Sequence, residues 1–395
     1  MPFDSKKLAA DVEAFCTDLR PAEELSYAER VFNKELVPLA KKHDILGMNI
    51  DPVFGGRGAD AVSYFTALAR IGREGTGPRT FFSGHLSIGA YPIQTWGSEA
   101  LKKKYLPAAV KGDSILAFGL TEPDAGSNPL EMTTTFRKTS DGYRLNGVKY
   151  LISNGGIAHA VVVFGYPEGA EPGPNRRVTA FVVDTNRPGF HVESFAANAK
   201  MGMPTSNTAM FEMTDVVVPA ENILGEPGDG FRVAMGTLVS GRLSVAAGCL
   251  GVIEDCLIES IEYAKSRKQH GKEIAKHQLV QDHIALIEMA RIASESLLIR
   301  AAKAKDEMHA NPKDKELAKE VDQLAAKAKF FATNAAWEAA DRAVQVFGGR
   351  GWSTLYRPGR HLMDTRVCRI YEGTDEILKL KIAASLLGKG YEAFR

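Results

Sequence analysis

Three short segments of reactive side chains stand out in this 395-residue chain. They are Leu120-Thr121-Glu122-Pro123-Asp124-Ala125-Gly126-Ser127-Asn128, Ser266-Arg267-Lys268-Gln269-His270-Gly271-Lys272 and Arg369-Ile370-Tyr371-Glu372-Gly373-Thr374-Asp375-Glu376-Ile377. Carboxylates of this kind can move protons, and guanidinium groups can hold anions. Each segment also has a plain reading. The first suits a polar turn whose Pro and Gly serve backbone geometry. The second suits a solvated basic helix end. The third suits a helix start capped by Thr374, whose hydroxyl can accept an orphan N–H. Singly, none fixes a reaction. Metal chemistry has no footing, because no C-x-x-C or Cys/His ligand spacing occurs. Cys16, Cys249, Cys256 and Cys368 are scattered. The closest two lie on one predicted helix about 10 Å apart, too far for a disulfide. They read as reduced, buried thiols of a cytosolic protein.

Composition narrows the classes further. With 49 basic and 48 acidic side chains the formal charge is +1, which excludes a strongly basic nucleic-acid binder and an acidic-tail protein. Apolar residues at 45% and charged residues at 25% describe a folded chain rather than a disordered one. At ~150 residues per domain, two or three domains are expected. No run approaches ~18 uninterrupted apolar residues, so no transmembrane segment is expected. The start, Met1-Pro2-Phe3-Asp4-Ser5-Lys6-Lys7 with Asp11 and Glu13 following, resembles neither a secretory signal nor a transit peptide. A cytoplasmic location is the expectation.

The elements that must position the three segments change texture twice. From Ser5 to Leu106 apolar residues recur at helical spacing, as at Val62, Phe65, Ala69 and Ile71. Pro52 and Gly55-Gly56 read as a loop between helices. From about Ser114 the pattern is that of strands. Asn146-Gly147 inside Tyr143–Tyr150 predicts a hairpin turn. Further strands are predicted at Ala160–Phe164, Val178–Val183, Ala209–Met213 and Val216–Val218, with an exposed loop over Glu168–Arg176. Beyond Gly230 the chain reads as helical to its end. Leu317, Val321, Leu324, Ala328, Phe331 and Ala335 form one buried stripe between the breaks at Asn311-Pro312 and Gly348-Gly349. A last helical segment covers Thr374–Leu387. The expected α+β architecture is a helical domain (1–115), a middle β-barrel or sandwich (116–228) and a C-terminal four-helix bundle (229–395).

In this order and with these surroundings, the three segments resemble the acyl-CoA dehydrogenase family. Lys200-Met201-Gly202-Met203, Ser206-Asn207-Thr208, Val218 to Glu226 and Gln345-Val346-Phe347-Gly348-Gly349 carry the resemblance along nearly the whole chain. Gly84-His85-Leu86-Ser87-Ile88-Gly89 and Ser206-Asn207-Thr208 are closest to the very-long-chain branch, without its C-terminal extension. The resemblance implies FAD, a homotetramer, electron-transfer flavoprotein as partner, and α,β-dehydrogenation of a fatty acyl-CoA to the trans-2-enoyl-CoA, as in fatty-acid β-oxidation. It tilts weakly toward medium-to-long straight chains.

What the resemblance implies can be carried over residue by residue. Glu372 would be the general base, its backbone N–H helping to hold the thioester carbonyl. Some branches place the base just before the residue that is Arg242 here, but Gly241 cannot act. Phe118, Leu120 and Thr121 would meet the flavin ring and Ser153 its edge, with Leu151 covering one face. Gly126 and Ser127 complete that set, Ser127 at the pyrophosphate and beside the substrate. Thr374 and Glu376 would lie near the adenylate. Arg267 would reach the pyrophosphate of a neighbouring subunit, together with Gln269, His270, Gln345, Gly348 and Gly349. Arg242, Tyr371 and Gly373 would border the substrate. For Arg242 a bundle salt bridge is an equal alternative. His85 and His159 read as structural.

Four positions depart from the family pattern. Leu151 stands where Trp is usual, which bears on reoxidation by the electron-transfer flavoprotein. Asn128 replaces an Asp, His270 an aromatic ring, and Pro204 a frequent Arg or Lys. Two other readings compete. One is a flavin oxidase or a carrier-protein thioester dehydrogenase on the same fold. The other is a non-catalytic scaffold, for which Glu372 would have no purpose.

Overall fold

The structure, a computed structural model, describes residues 3–170, 177–388 and 390–391. Part of the predicted 168–176 loop lies outside the described residues. The N-terminal region holds α1 (Ser5–Glu29), α2 (Leu36–Lys42), α3 (Ala61–Gly72), α4 (Thr76–Phe82), α5 (Tyr91–Trp96) and α6 (Glu99–Val110). A π-helical stretch, Ser83–Ala90, joins α4 to α5. Asp4, Asp60 and Ser98 cap the N-termini of α1, α3 and α6 with their side chains, as their residue types favour.

The middle region comprises β1 (Leu116–Gly119), β2 (Thr135–Thr139), β3 (Gly142–Ser153), β4 (Ala160–Pro167), β5 (Thr179–Asp184), β6 (Phe190–Ser194), β7 (Thr208–Val218) and β8 (Ile223–Leu224). Their order is β6-β7-β3-β2-β4-β5-β8, with β1 joined to β4 in parallel. Phe136, Tyr143 and Phe181 meet at centroid distances of 5.0–5.6 Å inside this layer and form its own small core. The expected hairpin at Asn146-Gly147 is absent. That dipeptide lies within β3, and the β2–β3 turn falls at Ser140-Asp141 instead. Gly147 takes φ 148° at a register break against β7, where a Cβ would lie 2.4 Å from the Thr134 hydroxyl. The dipeptide that favours a turn serves equally for a β-bulge. The two predicted strands at 209–213 and 216–218 are one continuous β7.

The C-terminal region is built on α7 (Gly230–Ser266), followed by the two-stranded ribbon β9 (Lys268–Gln269) and β10 (Lys272–Glu273). Then come α8 (Gln278–Ala310), α9 (Lys315–Phe347), α10 (Arg357–Thr365) and α11 (Asp375–Leu387). By length and composition α7 could cross a membrane, yet 83% of its most apolar window is buried inside the protein, as befits a core helix. On α9 the buried face is mostly alanine, so the helix packs close to α7 and α8. Phe331, expected in the stripe, is 38% exposed instead.

The N-terminal region meets the bundle through α3 and α7, which cross backbone to backbone. A Cβ on Gly72 would lie 2.6 Å from Gly248 O, and one on Gly251 2.1 Å from Ala69 O. Neither obstacle is a flexible side chain, so the crossing requires glycine. An ion-pair network fastens α10 to the same helix: Arg357 reaches Asp255 at 2.7 Å and Glu24 at 2.7 Å, and His361 reaches Asp255 at 2.7 Å. Gly251→Ala is expected to lower stability by about 1–3 kcal/mol through overpacking. Urea denaturation of the variant beside the parent checks this, and an unchanged midpoint would refute the crossing as drawn.

Candidate active site

Glu372 lies in the turn between α10 and α11. It has φ 56° and Gly373 has φ 95°, so two successive left-handed residues reverse the chain there. Thr374 caps α11, accepting from Ile377 N at 3.3 Å, as the plain reading of that segment predicts. Asp375, buried beneath it, accepts from Arg369 Nε at 2.7 Å and Asn334 Nδ2 at 3.1 Å. Two cations hold the carbonyls of the turn. Arg242 Nε donates to Glu372 O at 3.3 Å, and Lys329 Nζ donates to Gly373 O at 2.7 Å.

With its backbone held from both sides, the Glu372 side chain lies flat on α7 at Gly241. A Cβ at that position would come within 2.4 Å of Oε2, so a larger residue there would push the carboxyl group aside. Oε2 is screened from solvent and has no hydrogen-bond partner. Burial pushes the Glu372 carboxyl up to about 7, with the charges of Arg242, Lys329 and Arg79 pulling the other way. An acid at that value exchanges its proton near neutrality, which is what a general base requires. No group of His, Cys, Asp and Glu among the described residues could hold a metal ion.

The neighbouring side chains are tightly engaged. Tyr371 OH receives a 2.5 Å hydrogen bond from Arg79 Nη2 and lies 3.1 Å from Cys368 Sγ. Arg242 forms a 3.1 Å ion pair with Asp322 of α9, so the bundle salt bridge expected as its alternative is present. All four cysteines are buried and free. His85 accepts from Leu116 N and faces Ala109 O, and burial lowers it to about 4. His159 Nδ1 accepts from Ile115 N at 3.0 Å. Both histidines fasten the start of β1, a structural role.

The residues assigned to the cofactor fall into two groups. The first lies on the middle region. Phe118 packs edge-on against Phe164, Leu120 is nearly buried, and Thr121 O accepts from Tyr150 N. Glu122 turns inward, where Lys149 Nζ meets it at 2.7 Å and the N–H groups of Thr133 and Thr134 complete its shell. That anchor leaves Gly126 and Ser127 exposed, with nothing within 4 Å of where a Gly126 Cβ would be. Leu151 is 55% exposed at φ 59°, and Ser153 ends β3 half-buried. Asn128 bonds Leu130 N and Glu131 as a local turn cap, and Pro204 is buried.

The second group surrounds a hollow of about 600 Å³ between the β9–β10 ribbon and the end of α9. Arg267, Gln269, His270, Gly348 and Gly349 line it, together with Tyr263 stacked on Phe347 at 4.1 Å. No residue of the middle region lines this hollow. Gln345 is exposed nearby but does not line it, and Glu376 is exposed on the first turn of α11. Sequence reasoning missed Arg79 and Lys329. For Lys329 a signal existed, since it sits on the buried alanine face of α9 with Ala325, Ala328 and Ala332. For Arg79 there was none, because its partners come from α7 and the turn before α11. Lys329→Met is expected to raise the Glu372 titration point above about 7, since a nearby cation favours the carboxylate. Carboxyl NMR titration reads this, and a fall would refute it.

Three family models cover the chain: "Acyl-CoA dehydrogenase, N-terminal domain" over residues 4–113, "middle domain" over 117–216 and "C-terminal domain" over 228–387. A short-chain specific acyl-CoA dehydrogenase of Megasphaera elsdenii is 37% identical over 361 residues, 90% of this chain and 91% of the relative. Among solved structures, a chain from that of the electron transferring flavoprotein of Acidaminococcus fermentans superposes with a TM-score of 0.90. It is 32% identical over 98% of this chain and 100% of that one. A Mycobacterium smegmatis glutaryl-CoA dehydrogenase in complex with FADH2 gives a TM-score of 0.89 at 29% identity, over 100% of this chain and 97% of that one. The chain belongs to the acyl-CoA dehydrogenase family.

Proposed function

We propose that the protein binds FAD and dehydrogenates an acyl-CoA thioester across its α,β bond, with Glu372 taking the α-proton. The observation that carries this reading is the Glu372 carboxyl: seated on Gly241, unpartnered at Oε2 and titrating near neutrality. Its backbone N–H bonds no backbone carbonyl among the described residues, which leaves it free to support a thioester oxygen. The same bond would strengthen as negative charge develops on that oxygen. FAD, when bound, supplies the acceptor for the β-hydrogen and its electron pair, a task no side chain performs.

The residues present fit that cofactor. Phe118, Leu120, Thr121, Gly126, Ser127, Leu151 and Ser153 offer a partly open face for the flavin and pyrophosphate, and Thr374 and Glu376 follow the base toward the adenylate. Arg267, Gln269, His270, Gln345, Gly348 and Gly349 would serve the cofactor of an adjacent subunit. Their separate hollow supports a homotetramer in which each FAD site needs two chains. Ser127, Tyr371 and Gly373 would border the substrate, whereas Arg242 acts through the Glu372 carbonyl it holds. The three family models support a division into domains at 1–115, 116–228 and 229–395. Electron-transfer flavoprotein is the proposed acceptor, supported by the Acidaminococcus structure. The proposed location is cytoplasmic.

Glu372→Gln is expected to retain FAD and bind acyl-CoA yet slow anaerobic bleaching of the flavin band near ~450 nm by about 10²–10⁴-fold. In the parent the bleaching rate should climb with pH up to about 7 and level off above it, because only the ionised carboxylate accepts a proton. A fully active variant would remove Glu372 from its role.

A further inference from the structure

A cavity of about 440 Å³ lies where the N-terminal region meets the bundle. It is bordered by the loop before α3, by α3 and α5, by the C-terminal end of α8 and by Ser240 of α7. Its volume falls within the range of small-molecule sites. Tyr64, Phe65 and Tyr91 supply aromatic walls. Neither Glu372 nor Arg242 lines it, nor does any residue of the middle region. Ser240 directly precedes Gly241, so an occupant would rest on the turn of α7 that seats the Glu372 carboxyl.

Lys305 brings a positive charge to this cavity. The residue is 3% exposed, and its Nζ is screened from solvent with no hydrogen-bond partner. The ammonium lies over the Tyr91 ring, 4.4 Å from the centroid. Such a contact offsets part of the burial yet leaves the three N–H groups without an oxygen to bind. The nearby acids are engaged elsewhere. Asp306, next in the chain, accepts from Ala61 N at 2.6 Å and Val62 N at 3.3 Å, holding the start of α3. Asp51, an exposed acid of the lining, accepts from Val53 N at 2.9 Å. Asn49 also lines the cavity, and its Oδ1 is a buried acceptor with no donor. A buried ammonium and a buried carbonyl oxygen, both unsatisfied along one cavity, are costly unless a further group completes them.

We propose that this cavity binds a small aromatic carboxylate that carries a hydroxyl group. The carboxylate completes Lys305, the ring packs among Tyr64, Phe65 and Tyr91, and the hydroxyl donates to Asn49 Oδ1. One ammonium matches a single negative charge, and the acid at Asp51 disfavours a doubly charged phosphate.

Calorimetry on the whole chain tests this with 4-hydroxyphenylacetate and its neutral counterpart, 4-hydroxyphenylacetamide. The acid is expected to bind about 10–100-fold more tightly, the worth of a hydrogen bond to a charged group. Lys305→Met should bring the two to near parity. Asn49→Leu should weaken both and keep the acid ahead. Glu372→Gln should change neither affinity, because that carboxyl does not line the cavity. Should Lys305→Met fail to fold, a parent crystal soaked with 4-bromophenylacetate decides, its bromine expected in this cavity. Absence of binding, equal binding of acid and amide, a preference that survives Lys305→Met, or bromine found only elsewhere overturns the proposal. None of these results bears on Glu372 as the base, which flavin bleaching tests separately.

Discussion

The backbone surface of α7 is the constraint on which the arrangement depends. Five of its positions, Gly230, Gly236, Gly241, Gly248 and Gly251, lie against other groups so closely that a methyl would collide with them. Gly251 admits the backbone of α3, Gly248 the Arg79 side chain, and Gly241 the Glu372 carboxyl. One helix thus sets the docking of the N-terminal region, the seat of a buried cation and the seat of the proposed base. The long apolar character of α7 follows from this. A helix touched on nearly every side has little surface left for charge.

Around Glu372 the electrostatics are a contest between burial and three cations. Burial prevails, which is why the carboxyl titrates well above an ordinary glutamate. Arg242 and Lys329 do not pair with the carboxylate oxygens. They bind the carbonyls of Glu372 and Gly373, and are anchored or buried on the bundle. This fixes the direction of the turn while leaving Oε2 unpartnered. Direct pairing would have lowered the pKa and occupied the oxygen that must receive a proton.

Glu122 and Lys149 show the opposite solution in the same protein. Their buried pair is direct and fully hydrogen-bonded, and Lys149 and its N–H neighbours outweigh burial to hold Glu122 down at about 2. It works as an anchor for the Leu120–Asn128 segment and not as a proton carrier. The polar turn inferred for that segment is real only beyond Glu122. The residues nearest the flavin in the proposed function stay exposed because Glu122 is spent on the interior.

Much of this protein was legible as sequence. The helix–strand–helix order follows from local periodicity, which needs no partner to be read. Thr374 as a cap follows from its residue type and position. The Glu372 segment and the Arg267 segment were visible because both are dense in charge and glycine. What failed was local chemistry with two outcomes: Asn146-Gly147 suits a turn or a bulge, and only pairing with β7 chose the bulge. Phe331 failed likewise, since the spacing cannot say which of two adjacent faces meets a neighbour. Gly241, Gly248 and Arg79 acquire their meaning from elements far apart in the chain. A sequence shows that a glycine is there, but only the folded molecule shows which side chain needs the space, because close approach belongs to pairs of residues and not to one.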